Sequence, residues 1–433
     1  MEEVEDEPLF ADRVAGLDIA KAEVEVTIRV PGETAGGRRR QETRTYGTTR
    51  GELESLADWL ACWGVAKAGM EATGDYWKPV FFLLESRGFD CDLYNAGQVK
   101  ALPGRPKTDR ADSIWLAKIT ERGMISSSFV PPEPIRRLRT HTRYRRHLTQ
   151  ARTAEKQRVE KLLEDGHLKL SSVISDIHGA SGRDMLDALA AGQHDPRALA
   201  QLARGSMRGK IGRLEQALDC SFFTDQHAAV LAMMLAAIDY YSAQIEALTA
   251  RIEELIAPYL HQVEQLDAVP GIGLVCAQDT IAEIGTDMTV FPTAPHLVSW
   301  ARWSPQVKQS AGKRKGSNST GRGNPYLGAA LGEAVIGASR TPSFLGARYR
   351  RLARRMPKKK ALVATGNSML TIIYALLADP AASYRDLGPD YHEQRMHTRR
   401  QARNHIRSLE RLGYKVTIQA INPGTGELRP ATS

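Results

Sequence analysis

Polar and apolar positions alternate along Arg13–Val30, in the run RVAGLDIAKAEVEVTIRV. This period of two predicts two β-strands with a break near Lys21. The pattern of Gln41–Thr48 predicts a third strand after a Gly/Arg-rich loop. Helical spacing and short apolar runs then take turns, which predicts helices at 50–63, 75–87 and 110–122 and strands at 66–73 and 89–95.

The resulting order is three strands, then helix, strand, helix, strand, helix. That order is typical of the RNase H-like fold and unusual as the start of other α/β folds. We therefore expect an α/β RNase H-like domain over residues 10–130.

Two long helical runs, Glu133–Asp165 and Gln226–Ile256, dominate the middle of the chain. The segment between them predicts short helices, because glycines and a proline interrupt it. This pattern favours an antiparallel coiled-coil arm with a small insert over 131–260. An ordinary helical bundle is the alternative.

The run LDAVPGIGLVCAQDTIAE, at Leu266–Glu283, has the pattern of a helix-hairpin-helix. Gly271 and Gly273 would let backbone N–H groups approach a phosphate at a helix N-terminus, which predicts sequence-independent binding to the DNA backbone. A tight turn without a ligand is the alternative. We expect a mostly α-helical C-terminal domain over 261–385 and a basic tail over 386–433.

The 433 residues include 59 Lys and Arg against 50 Asp and Glu, a net charge of +9, and the basic residues are clustered. Runs at 136–146, 308–322, 348–360 and 395–411 hold 25 of them. One such run could be a solvated helix face, but several favour a nucleic acid, whose binding weakens with salt. The candidate contacts, with the two turn glycines, are Arg136, Arg137, Arg139, Arg143, Arg146, Gly271, Gly273, Lys308, Lys313, Arg314, Lys315 and Arg322.

Other classes of protein are disfavoured. No apolar run reaches 18 residues, so we expect no transmembrane helix and no membrane partner. Five acids among the first seven residues are the opposite of a secretory leader. The four cysteines are scattered without a CxxC pair, which argues against zinc and disulfides. A cytoplasmic protein is expected.

Four acids are candidate metal ligands. Asp18 lies inside an apolar strand, where a carboxylate is costly unless it is compensated, and Glu71 ends the fourth strand. Asp109 and Asp112 are three residues apart at the start of the last helix and share a face. In the RNase H-like order these elements converge, and a hard cation such as Mg²⁺ or Mn²⁺ would hold the carboxylates together. Asp109 as a helix cap and Asp112 as a first-turn acid are the alternatives.

Several motifs of the chain resemble the DEDD transposases of insertion-sequence family one-ten, which are similar to pilin-gene invertases. These motifs are GLDIAK, MEATGDYWKP, LYNAGQVK, PGRPKTDRADSIWLAK and SFVPPEPIRRLRTHTRYRRHLTQARTAEKQRVEKLLED. The resemblance spans about residues 13–380 and implies a RuvC-like domain with Asp18, Glu71, Asp109 and Asp112 as its metal-binding catalytic tetrad. It also implies an oligomer, because family members form dimer contacts through the arm.

Residue chemistry alone leaves four serines of the C-terminal region equivalent: Ser304, Ser310, Ser317 and Ser319. The resemblance selects Ser310, in QSAGK, as the catalytic serine. The cations Lys308, Lys313 and Arg314 could stabilise developing negative charge beside it.

The run Arg322-Gly323-Asn324 is similar to the family's basic-Gly-Asn element, which adds Asn324 to the candidate nucleic-acid contacts. The chain departs from the family at Arg302-Trp303, where Gly-Leu is usual, and at Gly328, where Arg is common.

The resemblance implies a transposase that recombines donor and target DNA through a 5′-phosphoserine link, guided by a bridge RNA, as a dimer that becomes a tetramer in synapsis. Two other classes stay open. One is a metal-dependent nuclease similar to Holliday-junction resolvases, without serine chemistry, and the other is a non-catalytic RNA-binding protein.

Overall fold

The computed structural model describes residues 10–32, 39–102, 109–305, 309–310, 313–314, 320–321, 323–391 and 398–416. The side chains at 109–110, 309–310, 313–314, 398–402 and 404 lie outside that description. The chain forms two compact units, which divide between Val130 and Pro131.

The first unit is built on a five-stranded mixed sheet. Its strands are β1 (Val14–Ile19), β2 (Glu23–Val30), β3 (Arg40–Gly47), β4 (Lys67–Glu71) and β5 (Asp90–Tyr94), in the spatial order β3-β2-β1-β4-β5. β1, β2 and β3 pair antiparallel, whereas β4 and β5 continue the sheet in parallel with β1. The helices are α1 (Arg50–Cys62), α2 (Trp77–Ser86), α3 (Ala96–Ala101) and α4 (Asp109–Arg122).

Alternation along β1 sends its residues to two different helical layers. Ala15, Leu17 and Ile19 belong to a buried cluster with apolar side chains of α1 and α2. Gly16 and Asp18, which alternate with them, face α4 on the other side of the sheet. The sheet is thus covered on both faces, and the predicted α/β order is confirmed, with the short α3 as an element that the sequence pattern did not predict.

The second unit begins with a pair of long helices, α5 (Glu133–Asp165) and α9 (Asp225–Ile256). They run antiparallel, because His227 lies 3.3 Å from Asp165 while Ser242 lies 3.3 Å from Arg152. Three short helices lie between them in sequence: α6 (Ala180–Ala190), α7 (Pro196–Gln201) and α8 (Ile211–Ala217). These helices share one apolar core with the end of α5 and the first half of α9.

The remaining helices follow, with a two-residue hairpin among them. They are α10 (Leu260–Asp267), α11 (Leu274–Ile284), α12 (Ala294–Trp300), α13 (Pro325–Ser339), α14 (Phe344–Ala353), α15 (Lys358–Ala378) and α16 (Thr398–Arg411), and the hairpin is β6 (Gln309–Ser310) with β7 (Lys313–Arg314). A mostly helical region after an α/β unit is what the sequence predicts. The predicted divisions at 260 and 385 stay predictions.

Gly271 packs beneath α13 in the turn between α10 and α11. Its φ is +92°, and a Cβ there would lie 2.1 Å from the Ala334 carbonyl oxygen. Gly273 is the N-cap of α11 and has open space where its Cβ would be. Of the two candidate glycines, Gly271 is therefore required for helix packing and Gly273 leaves its surroundings accessible.

Two segments are long and apolar enough to cross a membrane by length and composition: Asp225–Asp267, with mean hydropathy 1.4, and Lys358–Ala378, with 1.7. Both contribute to packing in the second unit. Ile238 of α9 lies in the core shared with α5, and Gly366 of α15 packs against Trp303. The absence of a membrane partner stays a prediction.

Candidate active site

Asp18 is the last residue but one of β1, and Glu71 is the last residue of the neighbouring parallel strand β4. The register of β1 with β4 runs to Leu17 opposite Met70, so the next residue of each strand is one of these two acids. Both side chains are half-buried. Because strands of a parallel pair end at the same edge, the two predicted ligands lie side by side at the carboxyl edge of the sheet.

The backbone of α4 lies directly on the face that bears Asp18. A Cβ at Gly16 would lie 2.1 Å from the Ala117 nitrogen and 2.3 Å from the Ser113 oxygen. On the neighbouring strand, a Cβ at Gly69 would lie 2.0 Å from Thr120 Oγ1. Two glycines at one register therefore let the helix approach the sheet closely.

The direction of α4 follows from two side-chain contacts. Its last turn lies at the start of β1, because Arg29, the partner of Val14 in the sheet, donates to Glu121 at 3.1 Å. Its second turn lies further along, where the Ser113 and Thr27 hydroxyls are 2.7 Å apart and buried. The helix thus runs antiparallel to β1, and its first turn points to the edge that carries Asp18 and Glu71.

Asp112, which is half-buried, belongs to that first turn, so the structure brings three of the four predicted carboxylates to one edge. The backbone of Asp109 opens the same helix, but its side chain lies outside the described residues. Among the described residues, no group of three or more His, Cys, Asp or Glu side chains is close enough to hold a metal ion. The oxygen donors suit Mg²⁺ or Mn²⁺ in kind.

Glu25 is a fifth acid at this edge that the sequence reasoning missed. It stands directly opposite Asp18 in the antiparallel pairing of β1 with β2, so both side chains share the face covered by α4. Side chains two residues apart in β2 point to the same face of the sheet. Glu25 therefore shares a face with Thr27, whose hydroxyl contacts α4, and this alternation is the sequence feature that could have identified it.

The candidate nucleophile Ser310 lies in the short hairpin, where its backbone pairs opposite Lys313, and Gln309 pairs with Arg314. The segment that contains the hairpin is held on both sides, at Trp303 before it and at Asn324 after it. Before it, Trp303 is buried against Gly366 of α15. The predicted contacts Lys308, Lys315 and Arg322 lie outside the described residues.

After the serine segment, Asn324 is locked in place. Its Oδ1 accepts from the backbone N–H groups of Tyr326 and Leu327, at 3.0 and 3.2 Å, which caps α13. Its Nδ2 donates to Glu283 Oε2 at 2.6 Å. This predicted nucleic-acid contact thus has a structural role within the chain.

Comparison with known proteins covers both units. A family model described as a transposase, DEDD type of IS110, matches residues 15–167. A second, described as the transposase of the IS116/IS110/IS902 family, matches residues 263–350. The chain belongs to the IS110 family of transposases.

Two curated relatives match part of the chain. An uncharacterized 43.6 kDa protein of insertion element IS110 from Streptomyces coelicolor is 30% identical over 138 residues, which are 31% of this chain and 33% of that protein. A probable family 20 transposase from Pseudomonas aeruginosa is 28% identical over 141 residues, 31% of this chain and 41% of the relative. The chain thus aligns with less than half of either relative.

The departure of this chain from the family at Arg302 has a visible backbone consequence. Arg302 has a φ of +59°, in the left-handed region that glycine enters without strain. A glycine, expected here from the family resemblance, would fit this turn without strain, whereas Arg302 adopts it at a conformational cost.

The predicted nucleic-acid residues of α5 contact acceptors within their own unit. Arg143 forms a two-pronged ion pair with the buried Glu283, at 2.7 and 2.8 Å. Arg139 donates to the Ala282 and Glu283 carbonyls, at 2.9 and 2.7 Å, and so caps the last turn of α11. Burial lowers the pKa of Arg139 to about 10, against the opposing effect of Glu283.

The other members of that set also have partners. Arg136 donates to the Pro131 carbonyl at 2.9 Å, and Arg137 pairs with Glu133. Arg146 lies 3.1 Å from the exposed Glu333. Arg145, which precedes Arg146 and is not one of the predicted contacts, donates to Gln278 and to Asp279, both at 2.9 Å. Arg145 and Arg146 thus join α5 to the C-terminal helices, whereas Arg136 and Arg137 bond at the start of α5 itself. The binding of the predicted set to nucleic acid stays a prediction.

Proposed function

We propose that the protein is a transposase that recombines DNA through a serine nucleophile, with a RuvC-like, RNase H-like first unit. The observation that supports this most is the meeting of Asp18, Glu71 and the first turn of α4 at one sheet edge, in a chain of the IS110 family. Its substrates are donor and target DNA, and its site of action is the bacterial cytoplasm, on the nucleoid.

The carboxylates of Asp18, Glu71, Asp109 and Asp112 are the proposed ligands of Mg²⁺, with Mn²⁺ as a substitute. When bound, such an ion supplies charge neutralisation and orientation of a phosphodiester. Within the chain, the glycines beneath α4 and the buried Thr27–Ser113 contact hold the ligand-bearing elements together.

Ser310 is the proposed nucleophile. Its Oγ attacks a backbone phosphorus, an Oγ–P bond forms and the P–O3′ bond breaks. The serine proton is transferred away and the leaving 3′ oxygen acquires a proton, which leaves a 5′-phosphoserine link and a free 3′ hydroxyl. Religation reverses these events with a different 3′ hydroxyl, so no external energy source is required.

Trapping of a covalent DNA–protein adduct tests the serine chemistry. We expect an adduct with the unchanged chain and with Ser317→Ala, a matched change seven residues away, and none with Ser310→Ala. An adduct that persists in Ser310→Ala would favour a resolvase-like nuclease that cuts without the serine.

The carboxylates have their own test. Asp18→Asn is expected to abolish excision and to weaken Mn²⁺ binding, measured by calorimetry on the protein alone, whereas Asp58→Asn, on the exposed side of α1, changes neither. Unchanged excision in Asp18→Asn would favour a non-catalytic nucleic-acid-binding protein.

A bridge RNA is the proposed guide, and its support is family membership together with the basic runs. The open N-cap at Gly273 is the proposed contact of the hairpin turn with a DNA phosphate. Sequencing of the RNA that co-purifies with the protein tests the guide. RNA that maps beside the gene is expected, and its absence would remove the RNA from the proposal.

A homodimer, and a tetramer in synapsis, are proposed on the outer face of α9. Small or apolar residues repeat there with the 4-3 spacing of a coiled-coil seam, and all are exposed: Ala229, Met233, Ala236, Tyr240, Ala243 and Ala247. Met233→Glu is expected to shift the mass in solution towards the monomer, while Gln244→Glu, off that seam, leaves it unchanged.

A further inference from the structure

The helix α14 carries an arginine pair that differs from every arginine of α5 described above. Arg348 and Arg351 are three residues apart and therefore share a face of the helix. Each is half-buried, and the Nε atom of each is sealed from water without a hydrogen-bond partner within the described part of the chain. Burial and the nearby charge of Arg351 lower the pKa of Arg348.

The sequence around α14 is poor in acids. No acid stands between Glu333 and Asp379, a stretch that includes all of α14 and α15. The neighbouring Arg350 is used differently, because it donates to the Ser339 and Thr341 carbonyls at 2.9 and 3.1 Å. Asp386 contacts the opposite end of α14, where it accepts from the Phe344 N–H at 3.1 Å.

Partial burial of two like charges, whose Nε atoms have no acceptor among the described residues, costs free energy in the isolated protein. A bound anion would recover that cost, and a phosphate oxygen pair matches the fork of a guanidinium group. The exposed cations Arg354, Lys358 and Lys359 extend the positive surface beyond the pair and would draw a polyanion towards it.

We infer that Arg348 and Arg351 form a binding site for a backbone phosphate of nucleic acid. The inference rests on the proposed function only in taking a nucleic acid as the ligand. It singles out two residues from a run of eight cations, in which Arg350 has a structural role and the exposed cations have a long-range one.

The test is the salt dependence of binding to a nonspecific DNA duplex and to a hairpin RNA with the same number of phosphates. For Arg348→Gln/Arg351→Gln, we expect the slope of log affinity against log salt to fall by about 1.8, roughly 0.9 for each phosphate contact. Between 50 and 200 mM salt, the variant should then lose about twelvefold less affinity than the parent chain.

The matched control is Arg158→Gln/Arg251→Gln, which removes the same charge from two exposed arginines that pair with Glu155 and Glu254 on their own helices. This control should leave the slope close to that of the parent. A loss of slope with only one of the two polymers identifies that polymer as the ligand. A slope equal to the control with both polymers would overturn the inference.

Thermal unfolding of the free proteins separates a binding role from a structural one. The Gln double variant should melt at or above the parent temperature, because it removes two desolvated like charges, and a clearly lower temperature would overturn the inference. Arg348→Lys/Arg351→Lys should keep the salt slope but bind more weakly, since ammonium groups lack the fork. None of these readouts needs Ser310 or the carboxylates, so a failed adduct assay would leave them interpretable.

Discussion

The arginines at the start of α5 and those of α14 form similar basic runs in the sequence, but their surroundings differ. Arg139, Arg143 and Arg145 reach buried acceptors on α11. Arg348 and Arg351 have sealed Nε atoms that find no acceptor among the described residues. In α5 the positive charge joins two parts of one unit. In α14 the charge is available to the proposed phosphate. A run of cations therefore indicates an anionic binding partner only where acids of the folded chain do not already pair with it.

The largest effect is expected at Glu283, the common partner of Arg139 and Arg143. Glu283→Gln removes a buried anion and leaves the half-buried Arg139 and Arg143 without their counter-charge, which should cost about 3 kcal/mol of unfolding free energy. Urea denaturation measures it. A loss below about 1 kcal/mol would mean that these arginines are as unpaired as those of α14.

Arg145→Gln should have the next largest effect, about 2–3 kcal/mol at pH 7, because it strands the Asp279 carboxylate. Burial already raises the pKa of Asp279 against the effect of Arg145, and the variant should raise it further. A raised folded-state pKa stabilises the fold below the ordinary Asp pKa and loses that contribution as pH rises. The deficit should therefore shrink in acid, as read from melting temperatures across pH, and a pH-independent deficit would contradict the pairing.

Asn324→Ala removes a helix cap and one donor to Glu283, for which we expect a loss of about 1–2 kcal/mol. A double-mutant cycle with Glu283→Gln should give less than the sum, since the two side chains share a hydrogen bond. The salt slope of DNA binding should not change. A change of slope would return Asn324 to the nucleic-acid contacts predicted from sequence.

The smallest effect is expected at the exposed ion pair of Glu333 with Arg146. Glu333 is 73% exposed, so Glu333→Gln should alter stability by less than about 0.5 kcal/mol. It should also release Arg146 and strengthen binding to a nonspecific duplex slightly at low salt. Unchanged or weaker binding would place Arg146 with the structural arginines of α5.

Much of the fold could be predicted because it depends on local patterns. The helix α5 begins beside Pro132 and Pro134 and ends at Gly166, residues whose backbone preferences are visible in the sequence. The strand β4 ends at Glu71, as expected. In contrast, α3 has six residues, which is too short for a periodic signal.

The parts of the site that could not be predicted depend on distant residues. Arg143 and Glu283 are 140 positions apart, and no local pattern connects them. Glu25 becomes a neighbour of Asp18 only through the register of β1 with β2. The convergence of Asp18, Glu71 and α4 could be anticipated because the element order implies it, whereas the choice of Ser310 required the family resemblance.

The glycines beneath α4 have a consequence for the design of mutational scans. At Gly16 and Gly69, alanine, the usual neutral reference, would already collide with the helix. Both positions should score among the most intolerant in the chain, beside the carboxylates, although neither glycine contributes a functional group. A mutational scan interpreted without the structure would take the two glycines for catalytic residues. Their contribution is instead the space that the missing methyl group leaves for α4.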